Sequence, residues 1–84
     1  MDQVLEAPVK TVHIFVEVDR ETKKKLEFET DQVTGAQIKT KAGVPLEDDL
    51  AVRSGQKLDL VTNEQTISIK NGEHFVVFPP GTIS

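Results

Sequence analysis

The sequence predicts an α+β domain, a mixed sheet of four to five strands with one short helix on one face. Three observations predict it. TVHIFVEV, residues 11–18, alternates Val12, Ile14, Val16 and Val18 with Thr11, His13, Phe15 and Glu17. That is the period of a strand with one buried face. HFVVF, residues 74–78, is apolar on both faces, as a strand at the centre of a sheet is. Between them a single segment, TGAQIKTKAG, carries both start and stop signals of a helix.

The other elements follow in order. DRETKK after the first strand is polar and suits a hairpin loop of about six residues. The basic run Lys23, Lys24 and Lys25 falls there as a solvated loop, with acceptor lysines as the functional alternative. KLEFET then places Leu26, Phe28 and Thr30 inward on an antiparallel partner strand. The helix is expected over residues 35–42. Thr34 is its N-cap, and Gln37 three residues later completes a capping box. Val33 and Ile38 can form a hydrophobic staple across the start. Gly43 supplies the left-handed residue at the end, and Pro45 prevents resumption. Only Ala36, Ile38 and Ala42 are apolar, so a narrow face meets the sheet.

DLAVRSG offers Leu50 and Val52 as inward residues of a short strand ended by Ser54-Gly55. QKLDLV fits either a second short strand or a packed loop, because Leu58 and Leu60 alternate without further support. QTISI repeats the period with Ile67 and Ile69, and Asn71-Gly72 is the strongest short hairpin signal in the chain. Pro79-Pro80 ends the last strand, since neither residue donates to a ladder. Residues 1–9 read as a flexible lead, 10–79 as the domain and 80–84 as a flexible tail.

At 84 residues there is room for one domain with a single thin core. Ten Lys and Arg against fourteen Asp and Glu leave a net charge of −4, which opposes nucleic acid or an anionic membrane as partner. Cysteine is absent, which excludes disulfides, thiolate catalysis and Cys-type zinc sites. No apolar h-region opens the chain, and no run approaches a membrane span. A cytoplasmic, monomer-sized domain is the expectation. Two His with no Cys, Tyr or Trp make a poor catalytic set. The phosphate-binding, zinc-protease and nucleophile-elbow motifs are missing. Neither an enzyme nor a cofactor is expected.

The order of elements, hairpin then helix then further strands around paired first and last strands, is that of the β-grasp. HIFVEV…KLEFETD resembles the first hairpin of ubiquitin, including its I-F-V tripeptide, here Ile14-Phe15-Val16. TGAQIKTKAGVPLEDDL and NGEHFVVFPPGT more specifically resemble the bacterial multiubiquitin domain family, whose helix begins T-G-x-x-I and whose last strand ends F-x-V-x-P-P-G. The similarity covers about residues 10–81. It implies a protein modifier in a bacterial ubiquitin-like system. It also implies partners of activating and conjugating type and a processing metallopeptidase. One departure matters. Ubiquitin-type modifiers end in Gly-Gly, whereas this chain ends Pro79-Pro80-Gly81-Thr82-Ile83-Ser84. Activation needs a glycine carboxylate without a Cβ beside the reacting carbonyl, so only Gly81 could serve, after three residues are removed. The alternatives are a non-conjugated docking module and, third, a small carrier or enzyme.

Alternation places Phe15, Ala51, Val76 and Phe78 opposite the helix. With one helix that face is open, and an exposed apolar patch marks a binding site. Phe15 or Phe78 folding over the sheet edge is the structural alternative. By resemblance, His74 and Val76 match the His and Val through which ubiquitin's corresponding face is recognised. His13 and His74 fall on neighbouring central strands, with Glu17 or Glu73 nearest. Without more ligands they read as solvent-facing rather than metal-binding. Glu47-Asp48-Asp49 lacks the oxygen spacing of a calcium loop and reads as solvated.

Overall fold

The computed structural model describes residues 11–80. The lead expected over 1–9 lies outside the described residues, and so does Gly81 with the rest of the terminus. Seven strands and one helix run in the order β1 (Val12–Glu17), β2 (Lys23–Phe28), β3 (Gln32–Thr34), α1 (Gly35–Ala42), β4 (Asp49–Ser54), β5 (Lys57–Val61), β6 (Thr66–Ser68) and β7 (Glu73–Phe78). Five of them form one mixed sheet in the order β2-β1-β7-β4-β5. β1 and β7 pair in parallel, and the other neighbours are antiparallel. β3 and β6 form a separate two-stranded ribbon. The expected α+β class and five-stranded mixed sheet are present, with β7 at its centre.

The core lies on one side of that sheet. Ile14, Val16, Leu26, Phe28, Leu50, Val61, Phe75 and Val77 pack there with Ile38 and Ala42 of α1, and Val33 of β3 and Ile69, just after β6, join the same cluster. Val52 is half-buried against the same cluster.

The helix is where its punctuation puts it. Thr34 accepts from the Gln37 amide through its hydroxyl at 3.1 Å, and the Gln37 side chain accepts from the Thr34 amide at 2.8 Å. Gly43 ends the helix at φ 79°, and its N–H and that of Val44 donate to the carbonyls of Thr40 and Lys39. This double bond pattern satisfies carbonyls that a helix end otherwise leaves unpaired. Gly35 has a different role. A Cβ there would overlap the Thr62 carbonyl, and the next amide, Ala36, donates to Asn63. The T-G-x-x-I pattern thus reads as cap, close approach and core anchor in succession.

Several expectations are corrected. Lys23, Lys24 and Lys25 are not loop residues: they begin β2, and the connection from β1 is the tighter Val18–Thr22 segment. There Asp19 accepts from the Glu21 amide at 2.8 Å, which holds its carboxyl below the ordinary range. Lys24 donates to the Ala42 carbonyl at 2.8 Å, placing a cation at the negative end of α1. Thr30 is exposed and outside any strand, and Ala36 is only half-buried. Asn71-Gly72 makes a tight turn but no hairpin, because β6 pairs with β3 while β7 enters the main sheet. Gly72, at φ 83°, donates to the His13 carbonyl, and the Asn71 side chain accepts from the His13 amide. The turn thereby fastens the entry of β7 to β1. Of the two readings of QKLDLV the strand is the one present: β5, hairpinned to β4 through Gly55-Gln56.

Candidate protein-docking face

Register fixes what shares the face opposite the helix. One row across the sheet runs Lys25, Phe15, His74, Arg53, Leu58, and the next runs Lys23, Glu17, Val76, Ala51, Leu60. Phe78 follows, opposite Asp49. Phe15, Ala51, His74, Val76 and Phe78 therefore lie together, as their alternation predicts.

They are not equally available. Ala51 is fully buried and Val76 is 7% exposed, although neither belongs to the helix-side core. Their neighbours enclose them within the sheet surface. Phe15 stacks on His74 with ring centroids 5.3 Å apart and planes 23° from parallel. Glu17 and Arg53 reach over β7 to within 4.0 Å of each other. A partner cannot grip Ala51 or Val76 as free side chains. They are the floor of the patch, and the expectation that both are exposed contacts is corrected. Phe15 and Phe78 are half-buried and His74 is exposed.

The accessible apolar surface comes from residues that alternation along β5 left undecided. Leu58 is 45% and Leu60 51% exposed. Leu60 stands beside Ala51 and Leu58 beside Arg53. The pairing of QKLDLV with β4 is the missing information, because it sets the phase that turns both leucines to the open face while Val61 enters the core. Alternation of Leu58 and Leu60 was the available signal. The pairing with β4, which sets Val61 beside Leu50 in the core, decides which side they face.

His13 and His74 share this face, and each has its own partner. His13 lies 3.5 Å from Glu27, neither Glu17 nor Glu73, and His74 stacks on Phe15. Glu73 instead accepts from the Lys70 amide at 3.1 Å. Among the described residues no group of three or more His, Asp or Glu could hold a metal ion, and no helix is long and apolar enough to cross a membrane.

Sequence reasoning also missed Lys39, which is 4% exposed in the helix. Its amine donates to the Leu46 carbonyl at 3.2 Å and the Asn63 side chain at 2.7 Å. Asn63 in turn donates to Leu46. This small network ties α1 to two loops and lies away from the open face. No known family profile matches the chain, and no curated protein matches it.

Proposed function

We propose that this chain is a ubiquitin-like β-grasp domain that engages proteins through its open sheet face. The observation that carries this is the pair Leu58 and Leu60, half-exposed beside a floor of Ala51 and Val76, on a face that no described helix or strand covers. Apolar side chains grouped at a surface gain free energy when a partner removes them from water, roughly 25 cal/mol per Å². Flanking Arg53, His74, Glu17 and Lys25 supply the polar rim that orients such contacts. The chemistry is recognition, with no bond made or broken at this face. The test is binding of a partner by the Leu58→Asp and Leu60→Asp variants. Loss of binding with an unchanged melting temperature supports the reading, and full binding contradicts it.

Within that reading the protein acts as a modifier in a bacterial ubiquitin-like system, working with activating and conjugating-type enzymes and a metallopeptidase that trims the chain to Gly81. A non-conjugated docking module is the alternative. What favours a conjugated terminus is the exit of the chain: β7 ends at Phe78, and Pro79 and Pro80 are exposed. Prolines withhold ladder donors and stop the strand there. Mass spectrometry after incubation with candidate peptidase and activating enzyme separates the two. Loss of Thr82-Ile83-Ser84, then an ATP-dependent thioester that a Gly81→Val variant cannot form, supports the modifier. A terminus left intact at Ser84 supports the docking module.

A further inference from the structure

We propose that the free edge of β5 pairs with the same edge of a second copy of this chain, joining two five-stranded sheets into one. This does not rest on the docking reading, because the contact is made by the strand's edge rather than by its face.

β5 is the last strand of the sheet, with β4 as its one ladder partner among the described residues. Residues 57–60 are all exposed. The opposite edge, β2, opens with three lysines, and its apolar residues Leu26 and Phe28 are buried. β5 has no proline, and it carries the two most exposed leucines of its sheet. An unprotected edge with exposed apolar side chains is a template for another strand.

The register follows from the hairpin. Gly55-Gln56 closes on the pair Ser54 and Lys57, so Lys57, Asp59 and Val61 turn their backbone groups toward β4. Leu58 and Leu60 turn theirs outward. An antiparallel partner must bond to those outward groups, which leaves three symmetric registers within the strand. In one the twofold axis passes through Asp59, setting two carboxylates face to face at the closest cross-strand distance. In another it passes through Leu60, setting Asp59 opposite the partner copy's Val61 with no opposite charge across the ladder. In the third it passes through Leu58. There Leu58 bonds to its copy, and Lys57 lies opposite the partner copy's Asp59 twice, once on each side of the axis. Opposite charges directly across a ladder stabilise it, and like charges oppose it. The sequence Lys57-Leu58-Asp59 is self-complementary in the Leu58-centred register alone. A twofold axis normal to the sheet puts both helices on one side, so the two open faces merge with the four leucines at their seam.

Sedimentation equilibrium of the full chain tests this, from about 10 µM to about 1 mM. The mass is expected to rise from one chain toward two, less steeply at high salt. Lys57→Glu and Asp59→Lys, both at exposed positions, each weaken self-association at least about tenfold. Mixed together they associate about as well as wild type, since each supplies the charge that the other reversed. A single-chain mass at every concentration overturns the proposal. So does a dimer that is indifferent to both substitutions, or a mixture no better than its components.

Discussion

The two faces of the central sheet are built from the same strands and end in different states. On the helix side, Ile14, Leu50, Phe75 and their neighbours lie under Ile38 and Ala42 and are almost wholly removed from water. On the other side, Ala51 and Val76 are equally well buried at the centre, yet Leu58 and Leu60 a strand away are half-exposed. The difference teaches where the core ends. A flat apolar floor can be closed by side chains of its own sheet, here a stacked Phe15 and His74 and the Glu17 and Arg53 pair above β7. Only what stands on the floor's margin is left in water. An apolar residue on the open face therefore serves stability or is available to the proposed partner, and burial decides which.

Substitutions break this comparison in graded steps. Phe75→Ala or Ile14→Ala on the covered face is expected to cost about 2–5 kcal/mol in urea unfolding, a large part of a small domain's stability. Val76→Asp on the open face should behave like a core change, with a loss of about 3 kcal/mol, because the carboxylate is forced into a nearly closed site. A melting temperature unchanged by Val76→Asp would show that the floor is wetter than its 7% exposure indicates. Thr34→Ala removes the cap that starts the helix above the covered face and should cost about 1 kcal/mol by the same measurement. Leu60→Asp, at a 51% exposed position, should change stability by no more than about 0.5 kcal/mol.

Much of the covered face was legible in the sequence, because its signals are local. Thr34, Gln37, Gly43 and Pro45 mark the helix within a dozen positions, and period two marks β1 and β7 without knowledge of their partners. What was not legible depends on distant pairing. Asn71-Gly72 has the composition of a hairpin turn, but the strands leaving it belong to different sheets, and its bonds go to His13, 58 residues away from Asn71. Lys39 and Lys41 look alike in the helix, yet Lys39 is buried because Asn63, 24 residues on, meets its amine. The candidate face was half legible for the same reason. Alternation along β1, β4 and β7 placed Phe15, Ala51, His74, Val76 and Phe78 together. The phase of β5, and with it the exposure of Leu58 and Leu60, follows only from its pairing with β4.

The docking reading proposed above has the open face, and not the helix side, meet other proteins. A photoreactive amino acid placed singly at Leu60, or at exposed Gln37 on the helix, and irradiated in cells that make the protein tests it most directly. Covalent adducts to proteins other than the chain itself are expected from position 60, and none above background from position 37. Adducts from position 37 with none from position 60 would contradict it.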